Sequence, residues 1–433
     1  MTTLDALQEP GRVAAPRLAT IGLIGSGLIA FGVFLSGFVI NEPAPYELYL
    51  VGLIGIWGLF GLRLSRSVFP LLALLVLFNI GGMLAITQMA RLDDAPLYIA
   101  VSLFLALTSV FFAAIIEMDA RRLKLIFAAY LTGALATATL GILGYFDAIP
   151  GGEQFTLYDR ARGAFQDPNV FGPYLVLPAL MLMHGLLAGS LRSAPLRLLA
   201  LMVLTLGIFL SFSRAAWGLY ALSTALLIFL MMVAQPTGLF RLRVLILSLI
   251  GIVVLIAAIA VALQLEQVSS LFTTRAQLIQ DYDGARFGRF ERHKLGFLMA
   301  MEKPLGIGPL VFGPIYGEDT HNIWLKALLD YGWLGFVSYL ALMAWTLTLG
   351  FRYLLRERPW QPYLITTYIV FFGHILIGTV IDTDHWRHFY LLLGILWGCY
   401  ALEARHQRAL QDDVLRRPII SGTSAVRMNN RAM

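Results

Sequence analysis

The chain has 433 residues, of which 58% are hydrophobic and 13% charged, with a formal net charge of +6. A mean hydropathy of +0.76 over that length excludes a single soluble core and defines a polytopic, all-α integral membrane protein. The lone cysteine, Cys399, excludes a disulfide framework and a cysteine metal site.

In chain order, residues 1–17 form a polar tail without a cleavable-signal pattern. Twelve spans follow, near 18–40, 47–63, 67–88, 96–116, 123–146, 169–189, 195–212, 215–234, 243–263, 322–350, 361–381 and 389–403. Each except the shorter last holds about 17 or more mainly apolar residues, as a bilayer crossing requires. Residues 18–403 thus read as one transmembrane domain containing a long loop at 264–321, and 404–433 as a basic, loosely ordered tail.

Orientation follows from the positive-inside rule. With the N-terminus cytoplasmic, 20 of the 32 basic residues fall inside, among them Arg63, Arg66, Arg121, Arg122, Arg356 and Arg358, and both termini are cytoplasmic. The basic balance therefore reports anchoring at anionic headgroups of membrane lipids, with no nucleic-acid partner.

The other 12 cations stand outside or at the outer ends of spans: Arg91, Arg160, Arg162, Arg214, Arg275, Arg286, Arg289, Arg292, Lys294, Lys303, Lys326 and Arg387. Arg214 lies in a turn of a few residues between two spans. Two readings stand level there, interfacial snorkelling with Trp217 as aromatic anchor, or a guanidinium aimed into a cavity. Residues 284–301 predict an amphipathic helix with Arg286, Arg289 and His293 on one stripe and Phe290, Phe297 and Met301 available to face lipid or protein. Guanidinium groups suit bidentate phosphate binding, although an interfacial helix pinning lipid headgroups fits the pattern equally.

A rigid turn, Pro304-Leu305-Gly306-Ile307-Gly308, ends that helix, and His321 and Asn322 then open the tenth span. A helix N-terminus favours an anionic ligand. A lone histidine there is more often structural than catalytic. The last outer turn gathers Asp382, Asp384, His385 and His388, read first as a solvated loop and second as the lining of an acceptor path. The outer acids Asp281, Asp283, Glu318 and Asp319 are split between the ends of the long loop, which disfavours a metal site, and no cofactor is expected.

Arg289 with the turn at 304–308, His321-Asn322 and Tyr331-Gly332-Trp333-Leu334-Gly335 resembles the signature region of the O-antigen ligase and polymerase superfamily. Ser213-Arg214-Ala215-Ala216-Trp217 resembles its upstream arginine motif, and Arg162-Gly163-Ala164-Phe165-Gln166-Asp167-Pro168-Asn169 its segment leading into the middle spans. The resemblance covers roughly residues 155–400.

It implies a fold with about 12 transmembrane helices, similar to other multi-span glycosyltransferases that use lipid-linked donors (GT-C-like), with one long periplasmic loop. It also implies a metal-independent, inverting enzyme of the bacterial inner membrane, with its active site facing the periplasm. Such an enzyme moves a glycan from undecaprenyl diphosphate to a hydroxyl, on lipid A-core in ligases or on a second lipid-linked glycan in O-antigen or exopolysaccharide polymerases. Ligation is the favoured reading. By this resemblance His321 is the base, Arg214 and Arg289 hold the diphosphate with Arg286 able to share the role, and Arg162, Asn169, Asn322, Asp382 and Asp384 are accessory candidates. One departure is His293, where the family commonly has tryptophan. A secondary transporter is the more distant alternative, disfavoured because the spans carry little charge away from their outer ends.

Overall fold

The computed structural model describes residues 16–234, 237–275 and 288–416. They form α1 (Pro16–Leu35), α2 (Pro45–Leu59), α3 (Phe69–Ile86), α4 (Ala95–Met118), α5 (Arg122–Tyr145), a hairpin β1 (Thr156–Leu157) and β2 (Arg160–Ala161), α6 (Pro168–Tyr174), α7 (Val176–Ala188), α8 (Ala194–Leu210), α9 (Arg214–Ala234) and α10 (Gly238–Ala262). The second half holds α11 (Glu266–Arg275), α12 (Arg289–Glu302), α13 (Phe312–Tyr316), α14 (Ile323–Asp330), α15 (Gly332–Tyr353), α16 (Gln361–Ile377) and α17 (Arg387–Arg416).

Among the described residues, seven helical stretches are long and apolar enough to cross a membrane: α3, α4, α5, α6 with α7, α9, α10 and α15. Four shorter apolar segments, in α1, α2, α8 and α16, extend the bundle. The protein is an all-α polytopic membrane protein.

The centre of the bundle is the pair α4 and α17. Lipid tails are as apolar as leucine, so membrane helices associate by close packing at small residues rather than by expelling water. Gly394 and Gly398 of α17 accordingly lie where a Cβ would strike Phe112 and Ile116 of α4, and the Ser109 hydroxyl donates to the Tyr390 carbonyl at 2.9 Å. By contrast, α10 packs little of its surface, with 6% of its apolar window buried, and lies at the periphery.

Two predicted spans are broken. The tenth divides at Tyr331 and Gly332 into α14 and α15, and the sixth at Leu175, just after Pro173, into α6 and α7. The seventeenth helix runs on through Arg416, past the point where the span was expected to end and the loose tail to begin.

The break between α14 and α15 explains the Pro-Leu-Gly-Ile-Gly turn. The Leu329 carbonyl, orphaned where α14 stops, accepts from the N–H groups of Ile307 at 2.7 Å and Gly308 at 3.2 Å, and Trp333 N–H donates to the Pro304 carbonyl at 2.9 Å. Two glycines make this approach possible. Gly306 (φ 83°) would place a Cβ 2.5 Å from the Leu329 oxygen, and Gly332 (φ 65°) would place one 2.8 Å from the Leu305 carbonyl.

Candidate active site

The loop at 317–322 carries His321 to one end of the bundle. Its backbone is left-handed at His321 (φ 48°), a conformation costly for a side-chain-bearing residue and characteristic of functional sites. Asn322, not His321, caps α14: its Oδ1 accepts from the N–H groups of Trp324 at 3.0 Å and Leu325 at 3.2 Å. The imidazole therefore lies one residue before the cap, 39% exposed.

Asp382 stands across from it, with Oδ2 3.6 Å from His321 Nδ1, just beyond hydrogen-bond length. The loop bearing Asp382 is not a solvated turn. Ile323 N–H donates to the Gly378 carbonyl at 2.8 Å, pinning the end of α16 to the start of α14. Asp384 is buried, accepting from the Tyr98 hydroxyl and from His385 Nδ1 at 3.0 Å, while His385 Nε2 faces the Tyr98 carbonyl at 3.1 Å. Burial alone would raise the Asp384 carboxyl, but the Lys326 ammonium, then His385 and Tyr98, outweigh it and hold it well below the usual carboxylate range. Loop acids in contact with a cation escape the solvated reading because their partners sit on distant segments.

Lys326, one turn into α14, lies among carboxylates. Its Nζ is 2.9 Å from Asp319, 3.5 Å from Asp330 and 4.0 Å from Asp382, and it sits 5.5 Å over the Tyr98 ring. These acids, from three segments, converge on an ammonium. The sequence signal for this was available: Lys326 and Asp330 stand i, i+4 in an otherwise apolar helix, where an unpaired charge would be expensive.

Helix α12 closes the other side. Its inward face is Arg292, Gly296 and Ala300, all buried, and its exposed face bears Phe290, Phe297, Leu298 and Met301. Arg292 is the deeply placed arginine, 2.6 Å from Glu318 Oε2, and that carboxylate also approaches His321 Nε2 at 4.0 Å. His293, the departure from the family pattern, donates from Nε2 to the Thr320 carbonyl at 2.8 Å and so ties α12 to the residue before His321. Its burial lowers its proton affinity. The Thr320 carbonyl and Asp382 oppose that shift, whereas Arg289 and Arg292 reinforce it. Arg289 opens α12, half-buried, within electrostatic reach of His293. Arg286, Asp281 and Asp283 lie outside the described residues.

Arg214 opens α9 after a turn in which Phe212 is left-handed (φ 45°). Leu219, one turn into α9, packs on Gly373, one turn before the end of α16. Arg214 and the loop carrying Asp382 are thus at the same end of the bundle. The turn before Arg214 is braced by Arg160, a buried residue whose Nε donates to the Ser211 carbonyl at 2.8 Å and whose Nη2 donates to Asn169 Oδ1 at 2.9 Å. Tyr158 and Asp159, both left-handed, make the hairpin turn that presents Arg160. Asn169 accordingly belongs to this brace, and Arg162 donates to the Gln166 carbonyl at 3.2 Å nearby, leaving Asn322, Asp382 and Asp384 as the accessory candidates gathered beside His321.

A histidine, buried acids and a basic surface helix are thus assembled at one end of an all-helical membrane bundle. A family model described as O-antigen ligase matches residues 199–340, which take in Arg214, α12, His321 and Lys326, and this match supports a membrane enzyme of the O-antigen ligase or polymerase type. No curated protein matches the chain.

Proposed function

We propose that this protein is an inverting, metal-independent glycosyltransferase that moves a glycan from undecaprenyl diphosphate to an acceptor hydroxyl at the periplasmic face of the inner membrane, with lipid A-core as the acceptor. The observation that carries the reading is the docking of the arginine-bearing helix α12 onto the loop that ends in His321, opposite Asp382.

In this mechanism the acceptor oxygen attacks the anomeric carbon from the face opposite the diphosphate. The carbon to phosphate-oxygen bond breaks, the diphosphate leaves on its lipid with the bonding electrons, and configuration inverts. His321 Nε2 takes the hydroxyl proton as the oxygen attacks, while Nδ1 faces Asp382, which orients the ring and stabilises the imidazolium. Arg289 and Arg214 supply the positive field for the leaving diphosphate, charge that develops in the transition state and so lowers the barrier. Arg292 is committed to Glu318 and holds α12 in place. The exposed Phe290, Phe297, Leu298 and Met301 rest in the headgroup region, bringing the diphosphate of a membrane-bound donor level with the site.

The test is to incubate purified protein in lipid with an undecaprenyl-diphosphate-linked repeat, with and without lipid A-core, and to resolve products by mass. Glycosylated lipid A-core formed only when acceptor is present supports ligation. Lengthened lipid-linked glycans without it would instead make the protein a polymerase, and no product in either arm would contradict glycosyl transfer.

A further inference from the structure

The most buried cation of the site has no role in the chemistry described so far. Lys326 is 4% exposed and touches three carboxylates that come from the loop before His321 (Asp319), its own helix (Asp330) and the loop after α16 (Asp382). Asp384 and the Tyr98 ring complete its surroundings. Only one of the acids, Asp382, also faces His321, through the same oxygen, Oδ2, that faces the ammonium. The other oxygen, Oδ1, is buried with no hydrogen-bond partner, so no further bond fixes this carboxylate.

We infer that Lys326 is the positioning residue of the site: its ammonium gathers Asp319 and Asp382 across the mouth of α14 and thereby sets the placement of Asp382 against His321. The inference rests on the proposed role of His321 as base. Like charges crowded at low dielectric repel strongly, and a single central cation is what allows three carboxylates to share this space. Without it Asp382 either binds a proton or turns toward water, and in both cases His321 loses its orienting anion. Geometry links the parts tightly, because α14 carries the histidine just before its cap, the capping Asn322 and Lys326 one turn on. Lys326 touches neither substrate nor reacting atoms; it acts through Asp382.

The experiment compares transfer rates of wild type, His321→Ala, Asp382→Asn, Lys326→Met, Lys326→Arg, and the doubles Lys326→Met/Asp382→Asn and Lys326→Met/Asp330→Asn, all in lipid with an undecaprenyl-diphosphate-linked repeat as donor. Misplacing a catalytic group costs up to about a hundredfold. The expected result is a ten- to hundredfold fall in kcat for Lys326→Met with KM for donor little changed, substantial recovery in Lys326→Arg, and no further loss when Lys326→Met is added to Asp382→Asn. Lys326→Met/Asp330→Asn takes away the ammonium together with the buried carboxyl group it faces within the same helix, which protects folding, and is expected to remain slow because Asp382 still lacks its cation. A folded Lys326→Met/Asp330→Asn with wild-type kcat overturns the inference, as does full additivity with Asp382→Asn. Wild-type activity in His321→Ala would instead overturn the reading of the base on which it rests.

Discussion

At the residue scale, the site separates groups that resemble one another in sequence. Arg289 and Arg292 are one turn apart, yet Arg292 is buried against Glu318 while Arg289 opens the helix. Alanine at Arg289 or Arg214 is expected to lower kcat by about a hundredfold, the usual cost of removing one stabilising donor of a transition-state anion, read as initial transfer rates. His293 predicts a pH effect of definite sign. Its folded pKa is lowered from 6.5, so between the folded value and 6.5 the unfolded chain binds more protons and stability rises with pH. The neutral His293 therefore contributes fully above about pH 6.5 and its contribution is lost as pH falls below it. The protection factors of α12 amides, taken against the intrinsic exchange rate at each pH, should fall on acidification in wild type and lose that dependence in His293→Gln; unchanged protection in wild type would contradict the assignment.

At the scale of elements, the short helix α14 and the turn beneath it organise the site. Asn322→Ala removes the cap of α14 and should cost about 1 kcal/mol, seen as a lower thermal midpoint. Gly332→Ala forces a Cβ onto the Leu305 carbonyl at positive φ and should cost roughly 1–3 kcal/mol, with loss of the α14 to α15 break as the structural consequence. A stable Gly332→Ala protein with an intact site would show that the turn is dispensable. The sequence announced these parts unevenly. Glycine and proline punctuation at 304–308 predicts a turn, and His321-Asn322 before an apolar run predicts a helix start, with the cap itself, Asn322, visible only in the structure. The division of the tenth span at Gly332 was hidden, because hydropathy is continuous across it and only the backbone pairing with Leu329 reveals it. Arg292 was passed over for a similar reason. The stripe through Arg286, Arg289 and His293 leaves Arg292 out, and the buried face of the helix is Arg292, Gly296 and Ala300, whose small residues let the helix approach.

For the whole molecule, hydropathy was enough to read an all-α membrane bundle, since each apolar run must satisfy its backbone within a helix. Long-range pairings were not legible: Asp384 with Tyr98, Arg387 with Glu47, and Asp382 with His321 join residues far apart in the chain, and no local pattern records them. The basic junctions predict sidedness. With Cys399 buried, single cysteines can be placed on an otherwise inert background. A cysteine at exposed Tyr158 should react with a membrane-impermeant maleimide from the periplasmic side and one at Glu357 only after the cytoplasmic side is opened; the reverse would invert the topology. The same arrangement puts His321, Arg214 and α12 at one end of the bundle, where a lipid-linked diphosphate would be presented.

The proposed role of His321 as the base of glycosyl transfer is tested most directly by a single-turnover measurement of transfer from a defined undecaprenyl-diphosphate-linked glycan by wild type and His321→Ala, with donor binding measured in parallel. The expected result is a chemical step slowed by about 10²- to 10⁴-fold in His321→Ala with donor affinity retained. Transfer at the wild-type rate by a folded His321→Ala protein would contradict it.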